Sequence, residues 1–260
     1  MSDGLFVVVP CLDEAMGIGP TLDALATQSD RDFALIFVDN GSCDETRAVI
    51  AAFIDEHPEL DVELIDEPEK GTGAASDTGF RRAAARGAWG IARTDADCLP
   101  RSDWIEQVKV GLCERELEFV VGAIKPRADD YRLGRLDRLF IPSLVAIASW
   151  VGTIRPGNRG PQYRTGYLMA AGNNLAIRAD TYLRCGGFPR TRIEDVHEDR
   201  ALVNRVRTVT NRIGKNDQMV VFNSIRRLRA YGYVRTLLWY WDHKYRPTVV
   251  DVRAVIRSRA

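Results

Sequence analysis

The first hundred residues alternate β-rich and helical runs, and this alternation limits the fold more than any other feature. Leu5-Phe6-Val7-Val8-Val9 is a short β-rich run closed by Pro10. Phe33 to Val38 is a second and ends in Asp39-Asn40-Gly41-Ser42, and Val62 to Ile65 is a third, reached through a helical stretch from Asp44 to Glu56. A fourth run, Ile91-Ala-Arg-Thr, leads directly into Asp95 and Asp97. Strands and helices joined this closely predict an α/β chain with a parallel, doubly wound sheet, whose ligands gather beyond the carboxyl ends of the strands. Three polar clusters separated in sequence are thereby brought to one rim: Cys11 to Glu14, Asp39 to Ser42, and Asp95 with Asp97. That is the expected geometry of a nucleotide pocket.

The chemistry of these clusters follows from residue type. Asp95 and Asp97 can converge on a divalent cation where the strand stops alternating, and hard oxygen ligands suit Mg2+ or Mn2+ better than zinc. Asp-x-Asp also occurs in turns where a short acid bonds its own backbone. Asp13 and Glu14 precede a helix expected from about Met16, so Asp13 is read either as its N-terminal cap or as a ligand contact. Gly71 and Gly73 would let the backbone approach a ligand, without the third glycine of a dinucleotide fingerprint and without a Walker loop. Asp77 on the following helix could reach a ribose or a basic group, Arg81 being its i,i+4 candidate.

Farther along, Glu198-Asp199 open a helix whose apolar stripe is Leu202, Val203 and Val206. Acids in a first turn complement the helix dipole, and they can equally face a cleft and take a proton from a hydroxyl. Glu194-Asp195, one turn earlier, is a competing pair, and His197 lies between the two as an acceptor contact, a metal ligand or an ion partner. Asn173 and Asn174 offer amide donors and acceptors suited to sugar hydroxyls, although Asn beside Gly172 is also a turn signal.

Four segments together resemble the family 2 glycosyltransferases: Val-Val-Val-Pro-Cys-Leu-Asp-Glu-Ala (7 to 15), Val-Asp-Asn-Gly-Ser-Cys-Asp-Glu-Thr (38 to 46), Thr-Asp-Ala-Asp (94 to 97) and Glu-Asp-Arg-Ala-Leu-Val-Asn-Arg-Val (198 to 206). Lys70 to Gly79 is similar to the family's glycine-rich segment, Cys185-Gly-Gly-Phe-Pro189 to its acceptor side, and the likeness runs from residue 5 to 210. The resemblance implies a GT-A fold: a Rossmann-like mixed, mainly parallel sheet flanked by helices, one domain with a C-terminal helical extension. Residues 1 to 125 would bind the nucleotide sugar and 126 to 260 the acceptor.

It further implies that Asp39 reads the base, favouring a UDP-sugar. Pro10 and Leu12 would line the base pocket, Leu12 replacing the usual aromatic; Glu14, Gly71, Asp77 and Asp95 complete the nucleotide contacts. Asp97 would be the direct metal ligand, with Asp95 acting through ribose or water. Asp199, with Glu198, would be the catalytic base of an inverting transfer to a glycan, lipid-linked or small-molecule acceptor held by Asn173, Asn174 and His197. A retaining transferase, a nucleotidyltransferase and a non-catalytic nucleotide-sugar sensor are the alternatives. A nucleotidyltransferase would normally carry an N-terminal basic Gly-rich loop, which Pro10 to Gly17 is not.

Composition bounds the rest. With 260 residues and 45% hydrophobic content the chain can bury a sizeable single core. Five scattered cysteines without a Cys-x-x-Cys pair favour reduced thiols and a cytoplasmic setting. The longest apolar segment, Leu139 to Val151, contains a proline and falls short of the roughly 20 residues of a membrane helix. Residues 1 to 100 hold 7 Lys/Arg against 20 Asp/Glu, and 101 to 260 hold 29 against 16, so an acidic donor half joins a basic acceptor half. That split invites an anionic acceptor, a diphosphate or a lipid headgroup surface. Arg226 to Arg246, aromatic and basic, is read as core packing over the cleft, with peripheral contact at the membrane inner face as the other reading. No nucleic-acid-binding motif is present. Arg155-Pro-Gly-Asn-Arg-Gly-Pro161 is read as a mobile loop that orders over bound donor.

Overall fold

The computed structural model describes residues 4–127, 150, 152–190 and 197–224. In chain order they form β1 (Leu5–Cys11), α1 (Gly19–Ala26), β2 (Ala34–Asp39), α2 (Thr46–Glu56), β3 (Asp61–Asp66), α3 (Thr72–Ala85), β4 (Gly90–Arg93), β5 (Cys98–Pro100) and α4 (Trp104–Lys109). A π-helical turn, Val110–Glu114, continues α4. Then follow β6 (Phe119–Pro126), β7 (Leu175–Arg178), α5 (Ala179–Cys185), α6 (Glu198–Val209) and β8 (Ile213–Asn223).

The eight strands lie in one sheet, in the order β3-β2-β1-β4-β7-β6-β8-β5. The parallel pairing expected from the alternation is found through β3, β2, β1 and β4. Beyond β4 the direction changes: β7 is antiparallel to both β4 and β6, β6 is parallel to β8, and β5 is antiparallel to β8. The sheet is mixed and mainly parallel. At the change of direction Arg93, the last residue of β4, lies opposite Leu175, the first of β7. The acids after β4 and the asparagines before β7 therefore meet at one rim.

The unbroken apolar runs of β1 and β2 reflect burial on both faces of the sheet. Leu5, Val7 and Val9 pack with Ile18, Leu22 and Leu25 around α1, together with Trp104 and Ile105 of α4. The alternate residues Phe6 and Val8 pack on the other face with Phe80 of α3 and Leu202 and Val206 of α6. Each such side chain contributes about 1.5–3 kcal/mol on burial, so the central strands anchor the rim. Gly79 lets α3 lie tight on the sheet, since a Cβ there would stand 2.4 Å from Val8 Cγ1 and 2.9 Å from Val38 Cγ2.

The first helix starts later than expected. Gly17 and Ile18 N–H groups both donate to Glu14 O at 2.9 Å, closing a turn, and α1 begins only at Gly19. All five cysteines are unpaired. No helix among the described residues is long and apolar enough to cross a membrane. Most of Leu139 to Val151, the Glu194-Asp195 pair, the aromatic and basic run from Arg226 and the C-terminal extension lie outside the described residues.

Candidate active site

One side of the rim is made by two loops stitched together. Asp13 N–H donates to Ser42 Oγ (3.0 Å), Cys43 N–H donates to Asp13 Oδ1 (2.7 Å), and Glu14 N–H donates to Thr46 Oγ1 (2.7 Å). Asp13 sits at φ 51, a left-handed conformation that a short acid tolerates. Its carboxylate serves the neighbouring loop rather than capping α1, whose N-terminus has no side-chain cap. Pro10, Leu12 and Glu14 are half-buried along this seam.

Asp39 ends β2, opposite Cys11 on one side and Asp66 on the other. It is 3% exposed. Its Oδ2 accepts from Ser42 N–H and Arg47 Nη1, each at 3.3 Å, while Oδ1 has no hydrogen-bond partner. A buried carboxylate oxygen left this way is costly unless a ligand donates to it. Asn40 braces the next loop: its amide donates to Glu67 O and Glu69 O and accepts from Gly71 N–H, all at 2.8 Å. Gly71, at φ 143, opens α3 in a conformation that L side chains rarely adopt.

Asp77 belongs to a different arrangement. Tyr182 Oη donates to its Oδ1 and Arg81 Nε to its Oδ2, both at 2.8 Å, with Arg190 Nη1 at 3.6 Å. Of the two sequence readings, the basic partner is the one found: Asp77 is 2% exposed, both oxygens are engaged, and it fastens α3 to α5 rather than facing a ribose.

At the centre, Asp95 to Cys98 form a turn closed by Cys98 N–H donating to Asp95 O (3.1 Å). Ala96 is buried, leaving Asp95 and Asp97 half-buried on either side of it. Arg93, 1% exposed, donates from Nε to Asp95 Oδ1 (3.0 Å) and from both Nη atoms to Glu198 Oε1 (3.4 Å each). The guanidinium lies 5.5 Å from the centre of the Phe188 ring, and a Cβ on Gly172 would come within 2.9 Å of its Cζ. Burial works against the Arg93 charge, but Asp95 and Glu198 more than offset it. Burial, with Asp97 and Glu198 nearby, raises the Asp95 carboxyl against the pull of Arg93.

Among the described residues no three His, Cys, Asp or Glu side chains gather into a metal cage. Asp95 and Asp97 supply oxygen donors only, and a hard octahedral cation that keeps water and phosphate in its remaining positions fits such a pair.

The other side of the rim begins at the N-terminus of α6, where Glu198 is buried and Asp199 half-buried. Asp199 Oδ1 accepts from Arg200 N–H at 2.6 Å. Burial and the neighbouring Glu198 push the Asp199 carboxyl up to about 7. His197 is the half-buried residue preceding the helix. The two asparagines differ sharply. Asn174, 1% exposed, accepts from Trp104 Nε1 and donates to Ala123 O and Met219 O, all at 2.9 Å, so its amide holds α4, β6 and β8 together and is not open to an acceptor. Asn173 donates to Cys98 Sγ (3.4 Å), and its Oδ1 has no hydrogen-bond partner.

The stretch read as a mobile loop is anchored instead. Pro156–Asn158 form a 3-10 turn, and Asn158 is buried, accepting from Arg207 and Asn204 of α6. Arg93, Arg47, Asn40 and Tyr182 were not singled out from sequence. For Arg93 the signal was present, a charge inside an otherwise apolar strand.

The chain belongs to glycosyl transferase family 2, whose sequence model matches residues 6–180. It is 32% identical over 103 residues to the glycosyltransferase AglE of Haloferax volcanii, a match covering 39% of this chain and 33% of that protein. It is 30% identical over 137 residues to a PGL/p-HBAD biosynthesis glycosyltransferase of Mycobacterium tuberculosis, covering 51% of this chain and 52% of that one. The matches thus span a third to about half of these relatives. In backbone the chain is similar to the mannosyltransferase PcManGT of Pyrobaculum calidifontis, solved with GDP-Man and Mn2+, with a TM-score of 0.64, 23% identity, and coverage of 94% of this chain and 66% of that one. The fold is GT-A.

Proposed function

We propose that this chain is a divalent-metal-dependent, inverting glycosyltransferase that moves a sugar from a nucleoside-diphosphate sugar to an acceptor hydroxyl. One observation carries the reading: Asp95 of the acid pair and Glu198, the neighbour of Asp199, share the buried Arg93 guanidinium, at 3.0 and 3.4 Å. Donor-side and acceptor-side carboxylates are thereby held at one point of the rim, as a direct transfer between two bound substrates requires.

Asp39 Oδ1, buried and without a hydrogen-bond partner, suits the ring N–H of a base, and uridine is favoured. Pro10, Leu12, Glu14 and the Gly71 backbone line the route from base to diphosphate. Asp97, with Asp95, would hold Mg2+ or Mn2+, which when bound supplies Lewis-acid stabilisation of the departing diphosphate. Asp199 takes the proton of the attacking hydroxyl, and a carboxyl raised to about 7 is well matched to that step near neutral pH. Glu198 keeps Arg93 in place. Asn173 and His197 stand on the acceptor side for a glycan, lipid-linked or small-molecule substrate.

Thermal-shift titration of UDP and GDP, each with and without Mn2+, tests the donor assignment. Metal-dependent stabilisation by one diphosphate is expected, because a ligand that binds only the folded state raises its melting temperature. Absence of any shift with either nucleotide would refute the reading. The anomeric proton in the NMR spectrum of the product then decides inversion against retention.

A further inference from the structure

Among the described residues, Arg155 and Arg200 have no acid to answer them. Arg155 and Arg200 are both half-buried, and among the described residues neither guanidinium makes an ion pair or a hydrogen bond. Neighbouring arginines are all engaged: Arg164 with Thr208 O, Arg205 with Gly187 O, Arg207 with Asn158 O.

Geometry puts the pair together. Asn204, one turn after Arg200 on the same face of α6, donates to Asn158 Oδ1 at 2.9 Å, and Arg207 Nη2 donates to Asn158 O at 3.1 Å. The turn that follows Arg155 is thus fastened to the helix face that carries Arg200. Arg159 Nε reaches back to Thr153 O at 3.0 Å and closes that turn. Tyr167 backs the segment, its ring so close that a Cβ on Gly152 would stand 2.7 Å away. Arg200 also adjoins Asp199, whose Oδ1 accepts its N–H. Burial and the neighbouring Arg200 hold the Arg155 guanidinium below its ordinary range. A bound anion would counter the repulsion from Arg200 and offset the cost of burial by its attraction. The surplus of basic residues after residue 100, 29 against 16, has the same sign.

We infer that Arg155 and Arg200 form a phosphate-binding subsite for the acceptor, which presents a hydroxyl near that phosphate to Asp199. Planar guanidinium forks match phosphate oxygens bidentately. The inference rests on the reading of Asp199 as the acceptor-side base, and it narrows the acceptor class to phosphate-bearing molecules, free or at a lipid headgroup.

The test uses the full chain with UDP and Mn2+ present. Glycerol 3-phosphate is compared with glycerol by calorimetry, and phosphatidic acid vesicles with phosphatidylcholine vesicles by flotation. The phosphate-bearing member of either pair should bind and its phosphate-free counterpart should not; binding confined to vesicles assigns the lipid source, and binding of glycerol 3-phosphate the free one. The double variant Arg155→Gln/Arg200→Gln should weaken binding by about tenfold per guanidinium removed. Arg155→Lys/Arg200→Lys, which keeps the charge, should fall between, and Arg31→Gln on the donor half should bind as wild type. No preference for phosphate in either pair, or unchanged binding by either double variant with its melting temperature intact, would overturn the inference. If UDP itself fails to bind, the donor reading falls, and the phosphate titrations are then read without nucleotide.

Discussion

Arg93 Nη1 lies 3.4 Å from Glu198 Oε1 across 105 residues of sequence, with both side chains buried. One guanidinium therefore sets the spacing between Asp95 and Glu198. Arg93→Met would leave Asp95 and Glu198 without their shared counter-charge, and breaking a buried pair from one side destabilises by about 3–5 kcal/mol. Urea denaturation should show a loss of that order. Arg93→Lys should recover part of the stability but less of the transfer rate, because a point charge cannot reach both acids.

Asp199→Asn should reduce transfer by at least about 10²-fold while nucleotide affinity, measured by calorimetry, stays near wild type. In the wild type, kcat/KM should fall on the acid side of the carboxyl's position at about 7. Stability carries the opposite sign. A carboxyl raised in the folded state is penalised when ionised, so the penalty is present above that pH and disappears as pH falls toward the ordinary carboxylate range. Asp199→Asn should melt a few degrees higher than wild type at about pH 8, and the gap should close by about pH 4.

Asp39→Asn keeps the shape of the site proposed for the base but replaces a carboxylate with an amide that also donates. Affinity for UDP should drop about tenfold or more, with the change appearing in the base contact rather than in the Mn2+ dependence. Equal affinity in calorimetry would remove Asp39 from base recognition.

Glu118 offers a test away from the rim. Burial alone would raise its carboxyl, but bonds from Thr181 Oγ1 (2.7 Å), Arg212 Nε (2.9 Å) and Arg184 Nη2 (2.6 Å) hold it at about 2. Its contribution is present above the ordinary value of 4.5 and is lost as pH falls through about 2. Glu118→Gln should cost about 2–4 kcal/mol at neutral pH in urea melts, and the difference from wild type should narrow through the acid range.

The first hundred residues were legible because β1 and β2 are covered on both faces, so apolar runs such as Leu5 to Val9 stand out, and because Asp39, Asp95 and Asp97 sit where such runs stop. The reversal at β7 was not, since nothing in Leu175 to Arg178 states which neighbour it will pair with or in which direction. Asn173 and Asn174 look alike in sequence, yet one keeps a buried amide oxygen without a partner and the other is spent on Trp104, Ala123 and Met219. Asp77 was placed on the right helix, but the phenol that occupies it comes from 105 residues away.

The antiparallel seam between β4 and β7 also limits how this chain can be divided. A fragment ending near residue 126 would keep Gly90–Arg93 but lose their partners Leu175–Arg178, baring an apolar strand edge in the middle of the sheet. Bare edges of that kind template aggregation. The chain therefore does not part at that point, and a chimera that borrows the later portion from another enzyme must bring a matching strand to seal that edge.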